Sequence, residues 1–383
     1  AMLYFDHNAT SPMHPEARRA WLDATSDYWL NPASPYRQAA AVKVRLESAR
    51  SRLADILGCC KGQVVFNSGA TEGNNTVLSF FNQICPTNEK ILVSPLEHPS
   101  VLESAGRYLG EKMEFLTLEC GGVVDMTALE VRLSSGEIFA VSLMAANNET
   151  GILQPWEAVR DACSSNGIYY HCDAAQWLGK LSAHGLGGCD FVTGCAHKFG
   201  GPMGCGFLKL SPRVENFSFM LGGIQEMGHR PGTENFPSVS SMLAALDVCK
   251  FADQGPRDAF ELRIIQEIPG TLIVGHDVAR LWNTSTLILP EFLNTRWVNR
   301  LSSCECLVST GAACATAKEG PSHVLTAMGI SPEDASRAVR VSGCSSHKES
   351  EWLTLADVFI NVFKEMSAEK DRLPIGGSKI IDV

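Results

Sequence analysis

In the stretch GCDFVTGCAHKFGGPMGCGF, residues 188–207, an apolar run stops at His197-Lys198 and gives way to glycines. Other polar residues stand at similar places. Asp173 and Gln176 follow YYH, His98 follows LVSPLE, and Asn147 and Asn148 follow VSLMAA. After QVVFNS comes Gly69-Ala70-Thr71-Glu72-Gly73 and then a helical pattern. The first N–H groups of a helix lack intrahelical partners, and small residues there let them converge on a phosphate. A satisfied strand end or a plain helix cap explains any one of these positions. Their recurrence in chain order, each just past an apolar run, points to a site.

A buried amine, a carboxylate and a phosphate-binding helix start suit pyridoxal phosphate, which needs a Schiff-base amine and an acid for its pyridine nitrogen. Lys198 supplies the amine, with burial lowering its pKa so that the free base can attack. Asp173 supplies the acid. The competing reading of Lys198 is a surface lysine in a turn.

The elements that must position these residues are short. QVVFNS, KILVSP, MEFLTL, IFAVSLMAA, IYYHCDA, CDFVTG and CGFLKL read as strands, with helix-like EGNNTVLSFFNQI and PSVLESAGRYL between some of them. Strands alternating with helices predict an α/β layer with a mostly parallel seven-stranded sheet. Ligands of such sheets bind beyond the carboxyl ends of the strands. From residue 258 the pattern becomes a smaller α+β region. The predicted organisation is an N-terminal segment 1–14 packing with the small domain, a large domain 15–257, and a small domain 258–383. The glycine-rich SFMLGGIQEMGHRPGTENF is a long connection of the functional-loop kind.

The chain has 383 residues, 45% hydrophobic and 19% charged, with net charge −10. That balance argues against a phosphate-binding basic face and hence against nucleic acid. No apolar run reaches the ~18 residues of a membrane span, and AMLYFDHNATSP lacks the regions of a signal peptide. The expected location is therefore cytoplasmic. Of 14 cysteines, none form a C-x-x-C pair, and most sit in apolar contexts such as LGCC and ALDVCKF. They read as small buried hydrophobes, except for the group from Cys304 to Cys314. Cys304, Cys306, Cys314 and His323 also lie close in sequence, but with no zinc-site spacing.

The chain resembles the NifS/IscS-type cysteine desulfurases and related selenocysteine lyases, enzymes of the class V aminotransferase fold that use pyridoxal 5'-phosphate. The resemblance rests on YFDHNATSPMHPEA, FNSGATEGNN, EHPSV, NNETG, CDAAQ, HKFGGPMGCG, GGIQEMGHRPGTEN and STGAAC followed by PSHVLTAMG. It implies fold type I and a homodimer with shared sites. Lys198 is then the Schiff-base lysine, Asp173 the partner of the pyridine nitrogen, Gln176 the contact of the ring hydroxyl, and His98 the residue stacked on the ring. Thr71, the Ala70 backbone and His197 hold the phosphate, with Thr233 of the other subunit completing it. Cys195 stands where the family usually has a phosphate-binding serine. Asn148 lies near the substrate, and Arg340 grips its carboxylate. Cys314 is the nucleophile that takes sulfur from L-cysteine as a persulfide for an acceptor protein. In a lyase acting on L-selenocysteine it serves selectivity instead. The tail RLPIGGSKIIDV does not resemble the segment that docks the iron–sulfur scaffold in bacterial housekeeping enzymes.

Overall fold

The computed structural model describes residues 2–215, 217–311 and 320–372. In chain order the strands are β1 (Leu3–Tyr4), β2 (Val64–Asn67), β3 (Lys90–Val93), β4 (Met113–Phe115), β5 (Ile138–Ser142), β6 (Tyr169–Asp173), β7 (Phe191–Cys195), β8 (Gly206–Lys209), β9 (Leu272–Ile273), β10 (Thr284–Ile288), β11 (Cys306–Leu307) and β12 (Ala338–Ser342). All seven apolar runs singled out from the sequence enter one sheet, ordered β2-β8-β7-β6-β5-β3-β4. Only β8 runs antiparallel to its neighbours. Because β8 is reversed against both β7 and β2, those two strands point the same way. The carboxyl ends of β2, β3, β5, β6 and β7 therefore share one edge.

Buried apolar side chains cover both faces of this sheet, as a mostly parallel sheet requires. One cluster holds Leu46, Trp156, Val192, Phe207 and Met242, the other Phe81, Ile91, Phe191 and Leu208. Two glycines permit the close approaches at the site edge. A Cβ on Gly73 would lie 2.7 Å from Thr193 Cγ2, so the helix Ala70–Ile84 rests directly on β7. A Cβ on Gly206 would lie 2.6 Å from the Gly69 Cα, where the chain turns into that helix over β8.

A second core gathers Phe5, Phe260, Trp297, Val339, Trp352 and Phe359. It lies with the antiparallel sheet β12-β10-β9 and the helices Gly255–Glu267 and Glu349–Arg372. Strand β1 pairs in parallel with β11, and Asp6 bridges to Ser342. The first residues of the chain thus complete the layer formed by its last third.

The connection 218–235 is pinned at Glu226. Its carboxylate takes Arg50 in a bidentate pair at 2.6 and 2.8 Å and accepts from Phe66 N–H at 2.7 Å. Cys60 and Cys120 are exposed, against the reading of most cysteines as small buried hydrophobes; in the group set apart from that reading, Cys304 is exposed and Cys306 is buried in β11. Among the described residues no helix is long and apolar enough to cross a membrane.

Candidate active site

A cavity of about 950 Å³ opens at the shared carboxyl edge. Ala70, Thr71, His98, Asn148, Asp173, Gln176, Cys195, His197, Lys198 and Arg340 all line it. Thr233 is exposed and does not line the cavity of its own chain. Cys314 lies outside the described residues. Of the residues on either side of it, Ser309 and Thr310 line the cavity, and Ser322 donates to the Glu149 carboxylate.

The floor is built from strand ends. Asp173 closes β6, where its Oδ2 accepts from Asn74 Nδ2 at 2.8 Å and its Oδ1 from Ala175 N–H at 2.9 Å. Asn74 is itself oriented, because Thr193 donates its hydroxyl to Asn74 Oδ1 at 2.7 Å. With that proton committed, Thr193 accepts from His171 Nε2 at 3.4 Å, and Ser142 donates to His171 Nδ1 at 2.8 Å. Burial holds the His171 pKa at about 4, so the ring is neutral, as this chain of bonds requires. None of Asn74, Thr193, His171 or Ser142 was singled out from the sequence. The Asn74-Asn75 pair inside a helical pattern was the available signal, since a buried asparagine demands partners.

Lys198 sits in the 3-10 turn His197–Phe199 that follows β7. Burial lowers its pKa first; Cys195 and Asp173 act the other way, and Arg340 adds to the lowering. Beside it, burial followed by the charges of Lys198 and Lys180 brings His197 to about 4, and its Nδ1 lies 3.1 Å from Thr10 Oγ1. Lys180 is a second buried lysine, brought to about 7 mainly by burial. It donates to Gln176 Oε1 at 2.6 Å, while Gln176 Nε2 donates to the Asn8 carbonyl at 2.9 Å, so both ends of that amide are oriented.

His98 caps the helix Pro99–Tyr108, and its Nδ1 accepts from Ser100 N–H at 3.1 Å. Burial lowers its pKa, so the neutral ring carries its proton on Nε2. Next to it, Glu97 is fully buried, and burial followed by the Asp173 charge raises its pKa well above the usual carboxylate range. Its Oε1 accepts from Met144 N–H at 2.6 Å. Past Ser142 the chain still bonds to β6 through Leu143 and Ala145 N–H, while on the other side the Met144 N–H goes to this carboxylate instead of a strand, where the regular strand ends short of the apolar run IFAVSLMAA.

The roof comes from β12 and the first residues of the chain. Arg340 donates to Asp6 Oδ1 at 2.6 Å and to the Asn148 carbonyl at 3.0 Å. Its Nε is buried without a hydrogen-bond partner among the described residues. A guanidinium held on one side with an unpaired N–H on the other suits a carboxylate ligand.

Cys304, Cys306 and His323 do not come together as metal ligands among the described residues. The His323 ring lies instead 2.8 Å from the Glu97 carbonyl through Nε2.

The residues present fit a pyridoxal phosphate. The helix Ala70–Ile84 begins at Gly69 with no side-chain cap, leaving its first-turn N–H groups for an anion at the cavity wall. Gly69 has φ 147° and a Cβ there would meet no atom within 4 Å, so the cradle is open above it. The amine of Lys198 and the carboxylate of Asp173 both face into that space.

A family model for aminotransferase class-V matches residues 3–351. A protein of Cereibacter sphaeroides named cysteine desulfurase is 33% identical over 365 residues, covering 93% of this chain and 92% of its own. A solved structure titled NifS-like protein superposes with a TM-score of 0.86 at 27% identity, covering 95% of this chain and 100% of its own. Another, SspA in complex with cysteine, gives a TM-score of 0.78 at 27% identity over 89% of this chain and 98% of its own.

Proposed function

The chain belongs to the aminotransferase class-V family, and from that premise we propose that it is a pyridoxal phosphate-dependent cysteine desulfurase, converting L-cysteine to L-alanine and passing sulfur to an acceptor protein. The observation that carries the reading is the meeting of Lys198, Asp173, an uncapped helix start and Arg340 in one cavity. When bound, pyridoxal phosphate supplies an electrophilic aldehyde and an electron sink for the substrate's α-carbon.

The chain's own groups do the rest. Ala70, Thr71 and His197 hold the phosphate, and Asp173, fixed by Asn74, accepts the pyridinium proton as a hydrogen-bond partner. Gln176 binds the ring hydroxyl, and Cys195, a weak donor, packs where the phosphate-binding serine of relatives would stand. Arg340 binds the substrate carboxylate, with Asn148 beside it. Lys198, its pKa lowered first by burial, would hold the cofactor's aldehyde and, once the substrate amine has displaced it, would take the substrate's α proton on Nζ. His98 carries a proton on Nε2 to return. The Cys314 thiolate attacks the substrate sulfur, so that an S–S bond forms as the C–S bond breaks. Thr233 reaches the phosphate of a second copy in a homodimer.

The test is to supply the protein with L-cysteine and, separately, L-selenocysteine, measuring alanine and the mass of the Cys314 peptide. Alanine from L-cysteine with a sulfur adduct on Cys314, both lost in Cys314→Ala, is the expected result. Alanine from L-selenocysteine alone, persisting in Cys314→Ala, makes it a lyase instead.

A further inference from the structure

A second cavity, about 520 Å³, shares Lys198 with the first and is bounded by His7, Lys180, Phe199 and Cys344. At its wall stands a cluster that plays no part in the chemistry above. The ligand atoms of His7, Cys344 and His347 lie within 4.8 Å of one another. We propose that these three side chains form a Zn²⁺ site, with the fourth position taken by water from the cavity.

The frame around the cluster is fixed. His7 is buried, and its backbone N–H donates to the Ser342 carbonyl at 3.0 Å, joining the first residues of the chain to the end of β12. Its ring packs edge-on to Tyr4 at 4.8 Å. The His347 ring stacks on Phe5 at 4.3 Å with an interplanar angle of 20°. Rings held this way lose little freedom on taking a ligand.

The hydrogen bonds also set the state of His7. Ser11 donates its hydroxyl to the Lys198 carbonyl at 3.3 Å, so toward His7 Nδ1, 2.9 Å away, it accepts. His7 therefore carries its proton on Nδ1 and presents a lone pair on Nε2. An outer partner that fixes the tautomer of a ligating histidine is the usual companion of a metal site. His347 Nδ1 accepts from Cys344 N–H at 3.2 Å. A cation bound there replaces that contact, and the metal–ligand free energy exceeds that of one hydrogen bond.

The donor set selects the ion. One thiolate and two imidazoles suit Zn²⁺, whereas Mg²⁺ and Ca²⁺ require oxygen ligands. Three protein ligands beside a cavity leave the tetrahedron open at one corner. In sequence the signal is only Cys344-Ser345-Ser346-His347, two ligands with two residues between them. The third is brought in by the fold.

The test uses the cofactor-loaded protein dialysed with Zn²⁺, then against buffer, with metal counted per chain. One Zn²⁺ per chain in wild type, in Cys314→Ala and in Cys304→Ser, but none in Cys344→Ser, is the expected result. Ser11→Ala lowers Zn²⁺ affinity by about 10- to 100-fold through loss of the outer partner. Should Cys344→Ser not fold, wild type alone decides: Zn²⁺ must slow alkylation of Cys344 by iodoacetamide, read peptide by peptide, while exposed Cys60 and Cys120 react unchanged. Zinc retained by Cys344→Ser, zinc lost from Cys304→Ser, preferential uptake of copper, or no protection of Cys344 overturns the proposal.

Discussion

The floor and the roof of the main cavity are made differently. The floor is a set of strand ends in one sheet, where each residue reaches its place because a buried strand delivers it there. Asp173 ends β6, Cys195 ends β7, and Lys198 follows three residues later. The roof depends on a contact between distant parts of the chain: Arg340 on β12 is held by Asp6, which the bridge to Ser342 places there. A floor residue is thus delivered by the large sheet alone, whereas the roof guanidinium, carried on β12, is oriented by Asp6 and the Asn148 carbonyl from distant parts of the chain. Substitutions on the floor should act on the chemical step, and those on the roof on substrate binding.

Lys198→Ala tests the floor at its centre and carries the largest expected effect. It removes both the Schiff-base amine and the base, so alanine formation falls by at least about 10²–10⁴-fold in kcat. A loss confined to KM would contradict the assignment. Arg340→Lys tests the roof next. Charge is kept but the planar fork is lost, and a charge-assisted hydrogen bond is worth about 1.5–3 kcal/mol. Steady-state kinetics should then show KM for L-cysteine rising roughly 10- to 100-fold, with a smaller change in kcat. If kcat falls and KM holds, Arg340 belongs to the chemistry and the contrast between floor and roof fails.

Asn74→Ala acts beneath the floor and has a smaller effect. It leaves Asp173 Oδ2 without its buried donor and Thr193 without its acceptor. An unsatisfied buried group costs about 1–3 kcal/mol, read as a lower midpoint in urea, together with weaker retention of pyridoxal phosphate in dialysis. Unchanged retention would show that Asp173 does not need this support.

The same contrast explains what the sequence made legible. Strand cores were evident because continuous apolar runs of four to nine residues have few alternatives in a parallel sheet. The polar residues at their ends were evident because they interrupt those runs in a repeated way. The chain from Ser142 through His171, Thr193 and Asn74 was not, because it joins residues on different elements and each reads alone as an ordinary strand or helix position. Asp6 was hidden for the same reason, since its partner lies in the last third of the chain. His7 and His347 share that fate. Strand ends were imprecise where a side chain intervened, as Glu97 does after Ser142.

The smallest expected effect is the response to acid, to which the buried histidines of the site contribute. His171 has its pKa brought from 6.5 to about 4 by burial, and it stands between Ser142 and Thr193 with both ring nitrogens engaged. In the unfolded chain the ring titrates near 6.5. Between pH 6.5 and about 4 the unfolded state therefore binds more protons than the native state, and stability falls as pH falls through that window. Above pH 6.5 both states are neutral and this contribution does not vary. Thermal midpoints measured across that window should decline on the acid side. His171→Gln, which keeps an acceptor and a donor but cannot titrate there, should flatten the part of the slope that His197, also at about 4, and His98, also lowered by burial, do not supply. A slope of equal steepness in His171→Gln would mean that the acid response arises from groups other than His171. A loss of slope without loss of the Asp173 support seen in pyridoxal phosphate retention would separate the titrating end of the chain of bonds from its carboxylate end.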